Sequence, residues 1–265
     1  MDIKKKIKIP SLNLRDINEF IKKVGIKNFK DYKYYKNLDK LEKRNQPYQP
    51  EIYDLYFLYK LIILNKRISL LEFGSGWSTL ALSIGLLENQ HKYFNAVKNL
   101  RFQKPFSLIT VDNEKKFLDI TKKRINKFYK NKKLINIKYH FSDVKMRLYD
   151  NRICHEYSVL PLINPDFIYL DGPDQFNIKG KINNFHIGND DLMPMSLDIL
   201  KFEFYLRPGT IIVVDGRGAN VEFLKAYFKR KWLDVYLKKL DMHIFYLDSK
   251  SIGPPSNKIL KFYRK

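Results

Sequence analysis

SLLEFGSGWSTLAL, residues 69–82, decides the fold. An apolar run ends at Glu72, glycines stand at positions 74 and 76, and a helical pattern begins at once. In an open α/β sheet a ligand sits beyond the carboxyl ends of the strands, and the turn after the first strand is its natural seat. Gly74 and Gly76 let the backbone approach a ligand closely and take positive φ where needed. A dinucleotide fingerprint asks for a third small residue at position 79, where this chain has Thr79. A phosphate loop asks for Lys-Ser/Thr after its second glycine, where this chain has Trp77-Ser78. Glu72 argues against both, because a carboxylate aimed at the ligand repels phosphate and welcomes an amine or a hydroxyl. An acidic group near a helix N-terminus is also favoured with no ligand present, so Glu72 has a purely local alternative.

Strands and helices alternate outward from this turn. ISLLEF, FSLITV (106–111), LINIKYHF (134–141), DFIYL (166–170) and TIIVV (210–214) read as strands. Helices are expected from 77 to about 87, over 113–129, over 191–206 with Pro194 in the first turn, and around Val221, Leu224 and Phe228. Such alternation implies a parallel sheet wound on both faces. WLDVYLKK and MHIFYLD close the chain with no helix between them, so they form an antiparallel hairpin most simply. The expectation is an α/β fold: a doubly wound, mostly parallel, seven-stranded sheet with a C-terminal hairpin over residues 51–265. Residues 1–50 read as a basic, tyrosine-rich extension with a helix over 12–24, and a further helix runs from Pro50 to about residue 65.

The totals bound the class. A chain of 265 residues with 45 % hydrophobic content builds one large α/β domain with a core of its own. A single cysteine, Cys154, forbids an intrachain disulfide, and the basic N-terminus has no apolar h-region, so a reducing, cytoplasmic setting is expected. The longest apolar stretch, 52–64, is broken by Asp54 and Lys60 and falls short of the about 20 residues a bilayer demands. A net charge of +22 suggests nucleic acid. Yet 39 Lys stand against 11 Arg, spread along a chain with only four Ala, as AT-rich coding would produce. Arg is the better reader of phosphates and base edges. Nucleic acid therefore stays an alternative partner behind a small molecule or sugar.

Further motifs stand at strand ends in a recognisable order. EFGSGWS (72–78) contributes Glu72, Gly74, Ser75, Gly76, Trp77 and Ser78; then come Asp112 in ITVDNE, Asp143 in HFSDV, Asp171 in YLDGPD and Asp215 in LRPGTIIVVD. Together they resemble the class I S-adenosylmethionine-dependent methyltransferases over residues 50–250. The resemblance implies S-adenosyl-L-methionine as cofactor, with its ammonium, sulfonium and ribose diol. It implies that Asp112 accepts from the ribose hydroxyls, that Asp143 lies near the adenine amino group, and that Asp171 follows the fourth strand at the pocket. Each has a local alternative: Asp112 as a helix cap, Asp143 as a turn residue, Trp77 as core.

Asp171 and Asp215 end adjacent strands and are expected side by side at the acceptor. Methyl transfer needs alignment first and a group to take the acceptor's proton second. In the catechol-type O-methyltransferases, which the chain resembles here, two such aspartates and a following Asn bind a divalent metal. Gly216 follows Asp215 in this chain, which leaves Asn220 or Asp174 as stand-ins for a third Mg²⁺ ligand. NPDF (164–167) is only superficially like the motif of base-amino methyltransferases and precedes its strand. The long polar loop over 174–191 contains His186, the candidate general base among the histidines. Arg217 stands where it could meet an anionic substrate group. Cys154 and His155 are adjacent and do not face each other as a nucleophile–base pair would. The resulting expectation is O-methylation of a small molecule or sugar. The alternatives are an RNA methyltransferase, an NAD-dependent oxidoreductase and a non-catalytic cofactor-binding domain.

Overall fold

Every residue from Ser69 to Phe73 is buried, the pattern of a strand covered on both faces. The computed structural model describes residues 2–27, 49–130 and 135–264. Most of the tyrosine-rich stretch and Leu134, expected to open the third strand, lie outside the described residues. The elements run α1 (Leu14–Val24), α2 (Ile52–Leu64), β1 (Ser69–Phe73), α3 (Trp77–Val97), β2 (Ser107–Asp112), α4 (Lys115–Phe128), β3 (Asn136–Phe141), β4 (Val144–Tyr149) and β5 (Arg152–Tyr157). They continue with β6 (Phe167–Leu170), β7 (Ile178–Lys179), α5 (Asp198–Phe202), β8 (Ile211–Asp215), α6 (Gly218–Tyr227), β9 (Trp232–Leu237), β10 (Met242–Leu247) and α7 (Pro254–Arg264).

The main sheet has seven strands in the order β3-β2-β1-β6-β8-β10-β9. The first five are parallel, and β10 and β9 form the antiparallel edge. Strand order reverses at β1, so the tips of β1, β2, β6 and β8 converge on one edge, where ligands bind in open α/β sheets. Alternate residues of β1 serve different layers. Leu70 packs with Leu58, Leu61, Leu82 and Leu86 of α2 and α3. Leu71 and Phe73 pack with Val144, Tyr157, Val221 and Leu224 on the other face. The N-terminal extension shares this core: Ile17 and Phe20 of α1 pack against Tyr56, Tyr59, Leu80 and Ile84. No described helix is long and apolar enough to cross a membrane.

Four expectations need correction. α3 runs to Val97 rather than to residue 87. The helix expected over 191–206 shrinks to α5 and one 3₁₀ turn at Glu203–Tyr205, because the residues before it are drawn into strand-like pairing. His155 N–H donates to Met195 O at 3.0 Å, and Leu197 N–H to His155 O at 2.9 Å. A second sheet, β5-β4-β7, takes up residues 144–157, to which sequence reading gave no element, and part of the loop expected over 174–191. Its hairpin turns at Asp150 and Asn151, both at positive φ (48° and 57°), the geometry a two-residue hairpin turn demands. The chain does not close on the β9–β10 hairpin: α7 follows and packs Leu260 and Tyr263 under Gly209. Beneath the sheet, Asp166 accepts from Ile68 N–H, Ser69 N–H and the Tyr263 hydroxyl, while the Arg67 guanidinium lies 4.0 Å from the Tyr263 ring centroid.

Candidate active site

The turn after β1 is held by backbone contact. Gly74 sits at φ +92°, and a Cβ there would lie 2.8 Å from Gly172 N. A Cβ on Gly172 would lie 2.4 Å from Gly74 N. The turns after β1 and β6 thus meet glycine against glycine, backbone on backbone. Gly76 is different. Its φ of 179° is ordinary extended backbone, and its Cβ position meets only Ser78 Oγ at 3.9 Å. The N–H groups of residues 74–76 are all engaged within the protein. Gly74 donates to Val111 O at 2.8 Å, Ser75 to Asp112 Oδ2 at 2.8 Å, and Gly76 to Thr79 Oγ1 at 3.1 Å. A phosphate cradle needs such groups free.

Glu72 is fully buried, and its carboxylate turns toward α3 rather than toward open space. Ser78 Oγ and Thr79 Oγ1 donate to its two oxygens, each at 2.6 Å. This corrects the expectation that Glu72 presents its charge to a ligand; Ser78, expected at the cofactor, serves Glu72 instead. Burial pushes the Glu72 carboxyl from its ordinary 4.5 up to about 8, against the pull of the Ser78, Thr79 and Thr110 hydroxyls. The folded protein then holds a proton that the unfolded chain has released, so stability falls as pH rises through the window from 4.5 to about 8. Glu72→Gln should flatten part of that fall, read as the urea midpoint at pH 5 against pH 8. An unchanged slope in the variant would mean that Glu72 is not a buried acid.

Asp112, at the tip of β2, is buried with both oxygens occupied. Oδ2 accepts from Ser75 N–H and, at 2.6 Å, from Ser75 Oγ, while Oδ1 accepts from Glu114 N–H at 2.9 Å. A carboxylate offers about four acceptor sites, so one remains for a ligand hydroxyl. Burial raises its carboxyl above the ordinary 3.8. Asp112 therefore organises the turn and the start of α4 whatever else it binds. Asp143 lies in an ion pair with Lys179 at 2.8 Å, joining the main sheet's edge to β7. Trp77 is partly buried, with the Arg124 guanidinium 4.2 Å from its ring centroid.

Asp171 and Asp215 do end neighbouring parallel strands, β6 and β8. Tyr169 donates its hydroxyl to Asp215 Oδ2. Arg217 reaches across from the tip of β8: its guanidinium donates to Asp171 O, lies 3.7 Å from Asp171 Oδ1 and donates to Pro173 O at 3.5 Å. Asp171 keeps 48 % of its side chain exposed. Desolvation raises the Asp171 carboxyl to about 6; the Arg217 charge opposes this, and Glu51 and Asp112 add to it. Asp215 is raised well above the ordinary range, first by burial and then by the charge of Asp171. The group that contacts Asp171 is thus a cation. Asn220 Oδ1 accepts from Ser196 N–H, Asp174 caps the turn at Phe176, and among the described residues no three His, Cys, Asp or Glu side chains converge on a metal position. The residues present do not fit Mg²⁺.

His186 is also reassigned. Its Nδ1 accepts from Gly188 N–H at 2.9 Å, which makes Nε2 the donor to Ile178 O at 2.7 Å. Both ring nitrogens fold the loop onto β7, and neither is free to act as a base. Of the buried polar residues around β5 and the start of α6, sequence reading missed Tyr157, Ser196 and Asp198, set His155 aside and took Asn220 only as a stand-in metal ligand; all five are 0 % exposed. Asp198 accepts from Tyr157 N–H at 3.0 Å and from Ser196 Oγ at 2.8 Å, and burial pushes it up to about 7. Burial, with the Arg217 charge second, lowers His155 to about 3, so its ring is neutral. The available signal was the alternation in RICHEY, which puts Ile153, His155 and Tyr157 on one face of a strand.

The sequence matches no known family model and no curated protein. Among solved structures it is similar to the SAH-bound methyltransferase PaMTH1 of Podospora anserina, at 12 % identity and a TM-score of 0.41, over 76 % of this chain and 80 % of that one. It is also similar to a methyltransferase from Geobacter sulfurreducens, at 9 % identity and a TM-score of 0.38, over 90 % of this chain and 92 % of that one. The functional reading rests on the chain's own residues.

Proposed function

We propose that the chain is a class I S-adenosylmethionine-dependent methyltransferase that methylates an oxygen of a small molecule or sugar. One observation carries this: the turn after β1 spends the N–H groups of residues 74–76 internally and leans on the Asp112 carboxylate. Such a turn has nothing to offer a pyrophosphate and repels one. It suits a cofactor that is cationic and carries hydroxyls. The open space beside Gly76 lets a ligand approach the backbone, and Asp112 retains one acceptor site for a ribose hydroxyl.

Bound here, S-adenosylmethionine supplies an electrophilic methyl carbon. The chain's residues supply the rest. The carboxylate pair lies on the next strand tips, where an acceptor hydroxyl would be held against it. Asp171 is the base, because it is the more exposed of the two and ionises near pH 6; it takes the hydroxyl proton as the oxygen attacks. Asp215, whose carboxyl is raised well above the ordinary range by burial and by its neighbour's charge, accepts from the Tyr169 hydroxyl and leaves the base's part to Asp171. Arg217 fixes the loop after β6, and with it Asp171.

Calorimetry with S-adenosylhomocysteine and with NAD tests the cofactor reading. S-adenosylhomocysteine should bind and NAD should not. Tight NAD binding with no response to S-adenosylhomocysteine would leave an oxidoreductase as the better reading.

A further inference from the structure

β3 is an outer strand of the seven-stranded sheet and pairs with β2 on one side. Ser142 N–H, just past its end, donates to Asp112 O at 3.0 Å. Peptide groups alternate sides along a strand. His140 and Lys138 therefore turn theirs to β2, and Ile137, Tyr139 and Phe141 turn theirs outward to solvent. A groove of about 560 Å³ follows this edge. Lys122 of α4 stands on one side of it, Leu160 and Leu162 stand on the other, and Lys138 and His140 of β3 lie between. The two walls belong to different layers: α4 packs Ile125 with Ile137 and Tyr139, whereas Leu160 packs with Ile109 and Val111. His140 Nε2 lies 3.2 Å from Val159 O, which ties the second wall to the strand. Leu162 is exposed along its whole side chain. The charge around the groove has one sign. Lys122 and Lys138 are exposed, Lys123 and Lys127 extend the charge along α4, and Asp119 is the one carboxylate of that helix.

We propose that the outer edge of β3 is a docking site for an acidic peptide in extended conformation, which adds to the sheet as a further strand. The inference does not depend on the methyltransferase reading. Three features select this occupant. The outward peptide groups of a free edge are matched by another backbone. The leucines beside them favour aliphatic side chains in the incoming strand. Lysines on the strand and on α4 favour carboxylates. The same charge opposes a second copy of this chain, because pairing β3 with β3 would bring Lys122 and Lys138 of both copies together; lysine on an edge strand guards against such self-pairing. Single-stranded nucleic acid is held by aromatic platforms and arginine. Here the walls are leucine and lysine, and Tyr139 packs with the α4 layer.

The test is fluorescence anisotropy on the full chain at about 0.15 M salt, with a labelled peptide of sequence Glu-Val-Glu-Val-Glu-Val-Glu. This probe should bind, and the same peptide with Lys in place of Glu should not. N-methylation of its central residues keeps the charge and removes the N–H groups that would pair with β3, so binding should weaken by about tenfold or more. Joint replacement Lys122→Glu and Lys138→Glu should weaken binding of the unmodified probe by about tenfold or more, and Leu162→Asp by about threefold or more. All three side chains are exposed, so the thermal midpoint should hold in each variant. No binding of the probe, equal binding of its N-methylated form, or full binding by both folded variants would overturn the proposal. Preference for an oligothymidylate over the acidic peptide would make the face a nucleic-acid surface instead. A dimer in sedimentation that the probe dissociates would assign the edge to a second copy.

Discussion

Gly172→Ala should destabilise the protein by at least about 3 kcal/mol, a large share of a domain's total stability. The added methyl would lie 2.4 Å from Gly74 N and 2.7 Å from Gly74 Cα, and backbone cannot step aside as a side-chain tip can. Gly74→Ala should cost a similar amount, because it adds φ strain at +92° to a 2.8 Å approach. Gly76→Ala should behave in the opposite way. Its backbone is ordinary and its Cβ position nearly empty, so stability should change by less than about 1 kcal/mol. S-adenosylhomocysteine affinity should nevertheless fall by about tenfold or more, because the methyl takes ligand space. Urea unfolding and calorimetry on the three variants separate a glycine that builds the turn from one that leaves room. If Gly76→Ala binds S-adenosylhomocysteine as wild type does, the cofactor does not sit on this turn.

Asp171→Asn should lower turnover by roughly 10²-fold or more, the scale of a lost general base, with cofactor affinity little changed. The wild-type rate should rise with pH through about 6, as Asp171 loses its proton. That limb should vanish in Asp171→Asn. Asp215→Asn should keep the limb, because burial and the Asp171 charge raise the Asp215 carboxyl well above the ordinary range and leave Asp171 the one to ionise first, and should lose less. The measurement is S-adenosylhomocysteine release with a hydroxyl-bearing acceptor across pH 5–8. A full rate in Asp171→Asn, or a limb that follows Asp215 instead, would reverse the assignment of base and neutral partner.

Periodicity and turn chemistry made the sheet legible, since burial on both faces leaves continuous apolar strands such as ISLLEF and TIIVV. The strand-tip carboxylates were legible too, because a position at a strand end follows from the strand. What was hidden depended on where side chains turn. Glu72 reads the same whether it faces a ligand or the hydroxyls of Ser78 and Thr79. His186 reads as a loop histidine until Gly188 N–H occupies its Nδ1. The hairpin of β4 and β5 was overlooked although its alternation and its Asp150-Asn151 turn were on view, because residues 142–165 were given no element at all. That oversight also concealed His155 and Tyr157. The short α5 illustrates tertiary override: residues 195–197 fit a helical pattern but spend their backbone groups on β5.

The contact beneath the sheet between Tyr263, Asp166 and Arg67 bears on the timing of folding. Lys66 Nζ donates to Phe262 O across 196 residues, and Tyr263 reaches Asp166 across 97. During synthesis, β1, β2, β3 and β6 emerge in turn with one end of their shared layer unsealed. Asp166, whose burial disfavours its charge, waits throughout for the hydroxyl that α7 brings. The seal on that end of the layer is thus a C-terminal contact, made last in a chain that is synthesised from its N-terminus.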